Sequence, residues 1–261
     1  MKIAVSGKGG VGKTFVAGAL AKFFADKGFK VLAIDADPSP NLALTLGIPA
    51  ERAEKIVPIS ENQKLIESKT GMGFTGVYRL SFTVDDIVKD FSVPSPFGVN
   101  LLVMGTVRSA GAGCMCPANA VIRALLQHLL VEREEAVVLD LEAGVEHMGR
   151  GTAKHVDTLL IITDASLKSL ETAKKIYELA VEAEIKKIFA VANKIAKNVE
   201  EETIRKFMKE NKIPFLGVIP YDEQVLEADR RGETPLAYTE GSKALLAIGK
   251  LGEQLLSYGS A

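Results

Sequence analysis

Eight residues near the start of the chain constrain its fold more than any other stretch: Gly7-Lys8-Gly9-Gly10-Val11-Gly12-Lys13-Thr14. They satisfy the pattern G-x-x-x-x-G-K-[ST], and their flanks suit it. Lys2-Ile3-Ala4-Val5 reads as a short apolar strand, and Val16 to Lys27 as a helix. Glycines between a strand and a helix let successive backbone N–H groups curl around phosphate oxygens, and the helix N-terminus adds its dipole. Lys13 is then placed to neutralise the outer two phosphates of a nucleotide, and the Thr14 hydroxyl to ligate Mg²⁺. An ordinary Gly-rich turn has no need of all three fixed positions. The stretch implies a nucleotide site.

Strand–helix alternation continues from there. Lys30 to Asp37 is an almost unbroken apolar run ending in Asp35 and Asp37, just before Pro38. Such a run fits a parallel strand buried on both faces. Acids at its carboxyl end lie on the edge where open α/β sheets bind ligands. Asp37 can there orient water near a terminal phosphate, with Asp35 supporting the Mg²⁺ shell. The competing reading is that both only cap the Asp-Pro turn. Val99 to Gly105 and Ala136 to Gly144 read as further buried strands, and Asp140 on the second is a candidate to hold Mg²⁺ through water. Thr158 to Thr163 and Lys187 to Ala192 are strands around a helix from Leu170 to Ala183. Phe215 to Asp222 is the next strand and loop, and helices over 223–231 and 242–256 finish the chain. This alternation predicts an α/β P-loop NTPase fold, a mostly parallel sheet with helices on both faces. We expect a single domain over residues 1–261 with a loop-rich insertion near 50–98. Helices over 61–68 and 84–91 are expected inside it, and Pro94 and Pro96 break the chain after them. The insertion is either partner-facing or a passive cover for the sheet.

Asn193-Lys194 closes one strand, where an Asn can hydrogen-bond a purine edge. A guanine reader of the N-K-x-D kind needs an acid at position 196, which is Ala196. The expected nucleotide is therefore ATP. The two cysteines, Cys114 and Cys116, stand in C-x-C spacing in a Gly-containing loop before Pro117. Proline suits a first helical position, which makes Cys116 the expected N-cap, and a helix N-terminus lowers a thiol's pKa. Apolar residues at 118, 121, 122, 125, 126, 129 and 130 give the helix that follows a core-facing stripe. Metal or redox chemistry suits such a loop better than two buried apolar side chains do. One C-x-C offers a metal two thiolates; two copies at a twofold axis offer four, enough for Zn²⁺ or Ni²⁺. His128, His147 and His155 have no ligand spacing to the cysteines and take no role.

A formal net charge of −1 gives no footprint for nucleic acid. No apolar run approaches the ~18 residues of a membrane span. The chain enters a strand at once, so neither a signal nor a transit peptide is expected. Two cysteines without an export signal then point to a reducing cytoplasm.

Lys8 completes K-G-G-V-G-K-T, which resembles the deviant Walker A loop of the MinD, ParA and nitrogenase-iron-protein group of dimeric ATPases. That resemblance implies that Lys8 reaches across a nucleotide-sandwiched dimer to the partner's phosphates; from the residues alone it is equally a solvated loop cation. D-A-D-P at 35–38 looks like switch I of that group, where the second acid helps hydrolysis. Similar proteins set a proline-containing loop, here Pro220-Tyr221, against the base. The phosphate loop, D-A-D-P, C-M-C-P and D-L-E-A-G-V-E-H-M-G-R-G-T-A occur in the same order and spacing as in CooC-type proteins. These are accessory ATPases for nickel insertion into carbon monoxide dehydrogenase and related enzymes. The similarity covers nearly all of the chain, with residues 60–95 least secure. It departs at Phe15, where a second Thr or Ser is common; only the backbone N–H of that position touches phosphate, so the cost is small. The resemblance implies a Mg²⁺-dependent ATP hydrolase acting as a nickel chaperone. It also implies an ATP- and metal-promoted homodimer, a nickel enzyme as client, and no membrane or nucleic-acid partner. A MinD- or ParA-type positioning ATPase would want a basic amphipathic anchor or DNA-binding face, and residues 251–261 hold no cation. An electron-transfer iron protein needs cysteines far apart in sequence. An iron–sulfur scaffold, its cluster held by two C-x-C pairs, stays open.

Overall fold

The computed structural model describes residues 1–37, 40–71, 79–80, 84–105, 117–131, 135–142, 144, 153, 155–238 and 241–259. Its first half runs β1 (Lys2–Gly7), α1 (Lys13–Asp26), β2 (Val31–Asp35), α2 (Leu42–Thr45), α3 (Ala50–Ala53), a 3-10 turn (Ile59–Glu61), α4 (Gln63–Lys69), β3 (Thr70–Gly71), β4 (Arg79–Leu80), α5 (Val84–Phe91), β5 (Val93–Pro94) and β6 (Val99–Val103). Then come α6 (Pro117–Val131), β7 (Ala136–Asp140), β8 (Thr158–Thr163), α7 (Leu167–Glu182), β9 (Lys187–Ile195), α8 (Asn198–Glu210), β10 (Phe215–Pro220), α9 (Glu223–Arg230), a 3-10 turn (Pro235–Ala237) and α10 (Lys243–Gly259).

Eight strands form one sheet in the order β10-β9-β8-β1-β7-β2-β6-β5. All pair in parallel except β5, which runs antiparallel along β6. Successive side chains on a strand point to opposite faces, and here both faces are apolar. Ala4, Leu32, Ile34, Leu102, Val137, Leu139, Leu159 and Ile161 pack on one side, under α4 to α8. Ile3, Val5, Val31, Ala33, Leu101, Val138, Leu160 and Ile162 pack on the other, under α1, α2 and α10. That double covering is why the strands read as continuous apolar runs. The expected α/β architecture is the observed one.

Several boundaries differ from expectation for local reasons. Helix α1 begins at Lys13 rather than Val16, because Gly12, at φ +93°, turns the chain directly into it. It ends at a Schellman motif, in which the Gly28 N–H donates to the Ala25 carbonyl and Phe29 N–H to that of Phe24. Strand β7 ends at Asp140, short of Gly144, and β9 extends through Asn193-Lys194 to Ile195. Helix α8 escaped the sequence reading because Ile204 and Met208 are its only buried residues, too few for an apolar stripe. Helix α6 begins at Pro117 as expected, with Val121, Leu125, Leu126, Leu129 and Leu130 buried.

Part of the segment over 50–98 packs on the sheet. Ile59, Leu65, Ile87 and Val88 are buried in the core on the α6 side. Pro94 lies on the edge strand β5, where a missing N–H leaves no ladder bond unmade.

Candidate nucleotide site

The carboxyl ends of β1, β2 and β7 converge at the loop between β1 and α1. A side chain at Gly7 is impossible, since a Cβ there would lie 2.2 Å from the Ile162 carbonyl oxygen. Helix α1 has no side-chain cap and no acid in its first turn. The N–H groups that a capping residue would normally satisfy are thus left for an anion. Lys13 is only 7% exposed; Lys8 and Thr14 are half-buried, and Gly9 and Gly10 are exposed. Among the described residues Lys8 makes no ion pair.

Asp35 and Asp140 sit side by side, paired in register on adjacent strands. Both are buried, at 0% and 1% exposure. Burial raises the Asp35 carboxyl to about 6 against the hydrogen bonds it accepts from Leu42 and Asp37 N–H, with the Asp37 charge raising it further. Those two bonds, 2.9 and 3.1 Å, make Asp35 the cap of the turn into α2. The capping reading therefore describes its present contacts, whereas half-buried Asp37 lies two residues beyond Asp35. Asp140 is different. Both of its oxygens are buried without a well-formed hydrogen bond among the described residues. Burial lifts its carboxyl to about 7, opposed by the nearby Thr14 hydroxyl and the Lys13 charge and assisted by the charges of Asp35 and Asp37. A buried carboxylate with no donor costs free energy unless a cation or proton offsets it. The donor chemistry, one hydroxyl and one carboxylate beside a phosphate cradle, fits Mg²⁺, which keeps waters and phosphate oxygens as its other ligands. Among the described residues no group of three or more His, Cys, Asp or Glu could hold a metal unaided.

Ser6 is a site residue that the sequence reading missed. Its buried hydroxyl bonds the Glu142 carbonyl at 2.9 Å, and the Gly144 N–H donates to it at 3.0 Å. It thereby pins the chain leaving β7 beside the phosphate loop. A hydroxyl closing an otherwise apolar strand was the available signal.

Beside the cradle opens a cavity of about 440 Å³. Gly12, Thr14 and Phe15 line it from the loop side, Asn193 and Lys194 from β9, and Pro220 and Tyr221 from the end of β10. The fold thus brings these sequence-predicted residues to one pocket. Asn41, Leu44 and Thr45 of the α2 segment complete one wall, and Asp222, Asp229 and Glu233 another. Asp222 ties that wall together, accepting from Gln224 N–H at 3.0 Å, the Ser242 hydroxyl at 2.7 Å and Ala244 N–H at 3.1 Å. Burial pushes its carboxyl up, but the Ser242 hydroxyl and the Ala244, Gln224 and Lys243 N–H groups together hold it below the usual range. Cys114, Cys116 and His147 lie outside the described residues. No helix among the described residues is long and apolar enough to cross a membrane.

A phosphate cradle on the central strand of a doubly covered parallel sheet, flanked by strand-end acids and a base-sized cavity, defines a P-loop nucleotide-binding protein. Residues 2–236 match the CobQ/CobB/MinD/ParA nucleotide binding domain, and the chain belongs to that family. Within it, the chain is 46% identical over 234 residues to the carbon monoxide dehydrogenase accessory protein CooC of Rhodospirillum rubrum, covering 89% of this chain and 88% of that one. An ATP-binding protein of Methanocaldococcus jannaschii is 42% identical over 238 residues, 89% of this chain and 90% of its own. In fold, the chain is similar to the septum site-determining protein MinD of Pyrococcus horikoshii, solved with Mg-ADP. The TM-score is 0.69 at 22% identity, over 99% of this chain and 98% of that one.

Proposed function

We propose that this chain is a Mg²⁺-dependent ATPase that acts as a homodimer to deliver nickel to carbon monoxide dehydrogenase or a related nickel enzyme. The observation carrying the ATPase half is the Asp140 carboxylate, buried near Thr14 and Lys13 without a well-formed hydrogen bond among the described residues. Thr14 and Asp140 would hold Mg²⁺, which would supply positive charge to offset that of the phosphates. Lys13 neutralises the same phosphates from the cradle, and Asp37 orients the attacking water. Lys8 reaches to the partner subunit's nucleotide, making hydrolysis and dimerisation one event. The missing acid at Ala196 favours adenine over guanine.

The nickel half is supported by the likeness to the accessory protein of Rhodospirillum rubrum and by the C-x-C pair Cys114 and Cys116. Nickel is here cargo. Two thiolates from each subunit would make a four-thiolate site for Ni²⁺ or Zn²⁺, and dimer closure on ATP would strain it toward release. A single domain over 1–261 in the cytoplasm suits this role. Phosphate release measured with and without Mg²⁺, together with metal stoichiometry in the dimer, tests both halves. Hydrolysis indifferent to Mg²⁺, or one metal per monomer persisting on dilution, would remove the corresponding half. The same thiolates also suit an iron–sulfur scaffold. Visible absorption after anaerobic iron and sulfide treatment would favour that reading; a colourless protein would not.

A further inference from the structure

Asn193 and Lys194 are consecutive residues of β9, and alternation along a strand should send their side chains to opposite faces. Both reach the same loop instead. The Asn193 amide donates to the Val11 carbonyl at 2.8 Å, and the Lys194 ammonium to the Gly10 carbonyl at 2.8 Å. A bulge in the parallel pairing makes this possible. Between Ala192↔Val218 and Ile195↔Pro220, β9 advances three residues while β10 advances two. The extra residue is Lys194, held at φ +62°, a left-handed conformation that non-glycine residues rarely adopt. Its N–H is turned back onto the Asn193 side-chain oxygen at 2.9 Å, which holds the bend. Bulges of this kind re-aim a side chain at a site's rim.

From this juxtaposition we propose that the bulge-borne pair Asn193-Lys194 is a positioning clamp for the phosphate loop rather than a reader of the base. A loop that offers its N–H groups inward to phosphate must turn its carbonyls outward. Gly10 and Gly12 leave the backbone free to turn either way, at φ +83° and +93°. The two donors hold the Gly10 and Val11 carbonyls from outside and so fix the cradle before any ligand arrives. Asn193, 3% exposed, has its amide nitrogen on the loop and its oxygen on the Lys194 backbone. The inference rests on the nucleotide reading of the site but assigns these two residues a different task within it.

A base reader and a loop clamp differ in how they treat a ligand with no base. The test compares binding of Mg-ATP, Mg-GTP and inorganic tripolyphosphate to wild type, Lys194→Met, Lys194→Arg and Lys194→Gly, by calorimetry on the full chain. Lys194→Met keeps the stem and loses the donor. It should weaken ATP and tripolyphosphate alike by about tenfold, the worth of one charged hydrogen bond, with the ATP-to-GTP ratio unmoved. Lys194→Arg should restore most of both affinities. Lys194→Gly relaxes the backbone without restoring the donor, so it should bind as weakly as Lys194→Met; wild-type affinity there would overturn the clamp. Loss of ATP binding with tripolyphosphate unchanged, or a changed ATP-to-GTP ratio, would return the pair to base reading. A wild type that binds none of the three ligands would remove the nucleotide site and the clamp together. A wild type that binds them with Lys194→Met equally tight would remove the clamp alone.

Discussion

Replacing Asp140 by Asn should stabilise the nucleotide-free protein and abolish the stabilisation that Mg-ATP confers. Burial raises the folded-state carboxyl from 3.8 to about 7, so the folded chain holds its proton longer than the unfolded chain does. Stability from this group is whole below pH 3.8 and drains away as pH climbs through about 7. Each pH unit of that span is worth ~1.4 kcal/mol, and the span of ~3 units gives ~4 kcal/mol at pH 8. Asparagine carries no charge, but it leaves an amide in a site where the carboxylate makes no well-formed hydrogen bond among the described residues, which costs ~1–3 kcal/mol. The net gain at pH 8 is then ~1–3 kcal/mol, and near pH 5 it should vanish or reverse. Asp35, raised to about 6, titrates in an overlapping window in both proteins and is relieved slightly by losing a charged neighbour. Urea unfolding at pH 5, 6, 7 and 8 measures the difference. Added Mg-ATP at a hundredfold its dissociation constant should return ~2.7 kcal/mol to wild type and almost nothing to the variant. A stability difference that is the same at pH 5 and pH 8 would refute the buried-charge argument. Equal stabilisation of both proteins by Mg-ATP would refute the Mg²⁺ assignment.

Lys13→Ala should abolish nucleotide binding in equilibrium dialysis, whereas Asp37→Ala should bind ATP and release phosphate at least ~100-fold more slowly; a wild-type rate in Asp37→Ala would end its catalytic assignment. Lys8→Ala should bind ATP yet sediment as a monomer with ATP present, and a persistent ATP-stabilised dimer would make Lys8 a plain loop cation. Cys114→Ser and Cys116→Ser should each lose metal-dependent dimerisation while ATP binding stays intact by the same dialysis assay. Asp222→Ala removes an N-cap and two further hydrogen bonds, so urea unfolding at pH 7 should show a loss of ~2–3 kcal/mol. Because the folded-state carboxyl of Asp222 lies below the ordinary range, its contribution is present above that range and fades as acid protonates it.

The central sheet was legible because parallel strands buried on both faces read as apolar runs, as in β1, β2, β7 and β8, and β6 keeps one apart from the exposed Asn100. The phosphate loop was legible because its chemistry demands residue types at fixed spacing. Helix α8 was not, since it docks mainly through Ile204, Phe207 and Met208, a single turn of apolar spacing on an otherwise polar helix. Within 50–98 the helices expected over 61–68 and 84–91 are α4 and α5, whereas α3, the 3-10 turn and β3 to β5 were not read, because elements of two to four residues carry no periodic pattern. In the site, the reading found Asn193 and Lys194 but not their contacts with Val11 and Gly10. A bulge depends on the register between β9 and β10, which no local pattern encodes. Ser6 and Asp222 were missed as site residues because each acts on backbone groups far along the chain.

The two donors on the phosphate loop come from 182 and 184 residues downstream of the carbonyls they hold. Synthesis from the ribosome therefore delivers the cradle's glycines and Lys13 first and the groups that hold the cradle last. A nascent chain stopped short of Asn193 has the loop sequence but neither of these two donors. One stopped short of Ala244 also lacks the last partner of Asp222. Contacts this far apart in sequence form late and slowly. The two bonds that hold the phosphate loop can therefore form only after more than two thirds of the chain has been made.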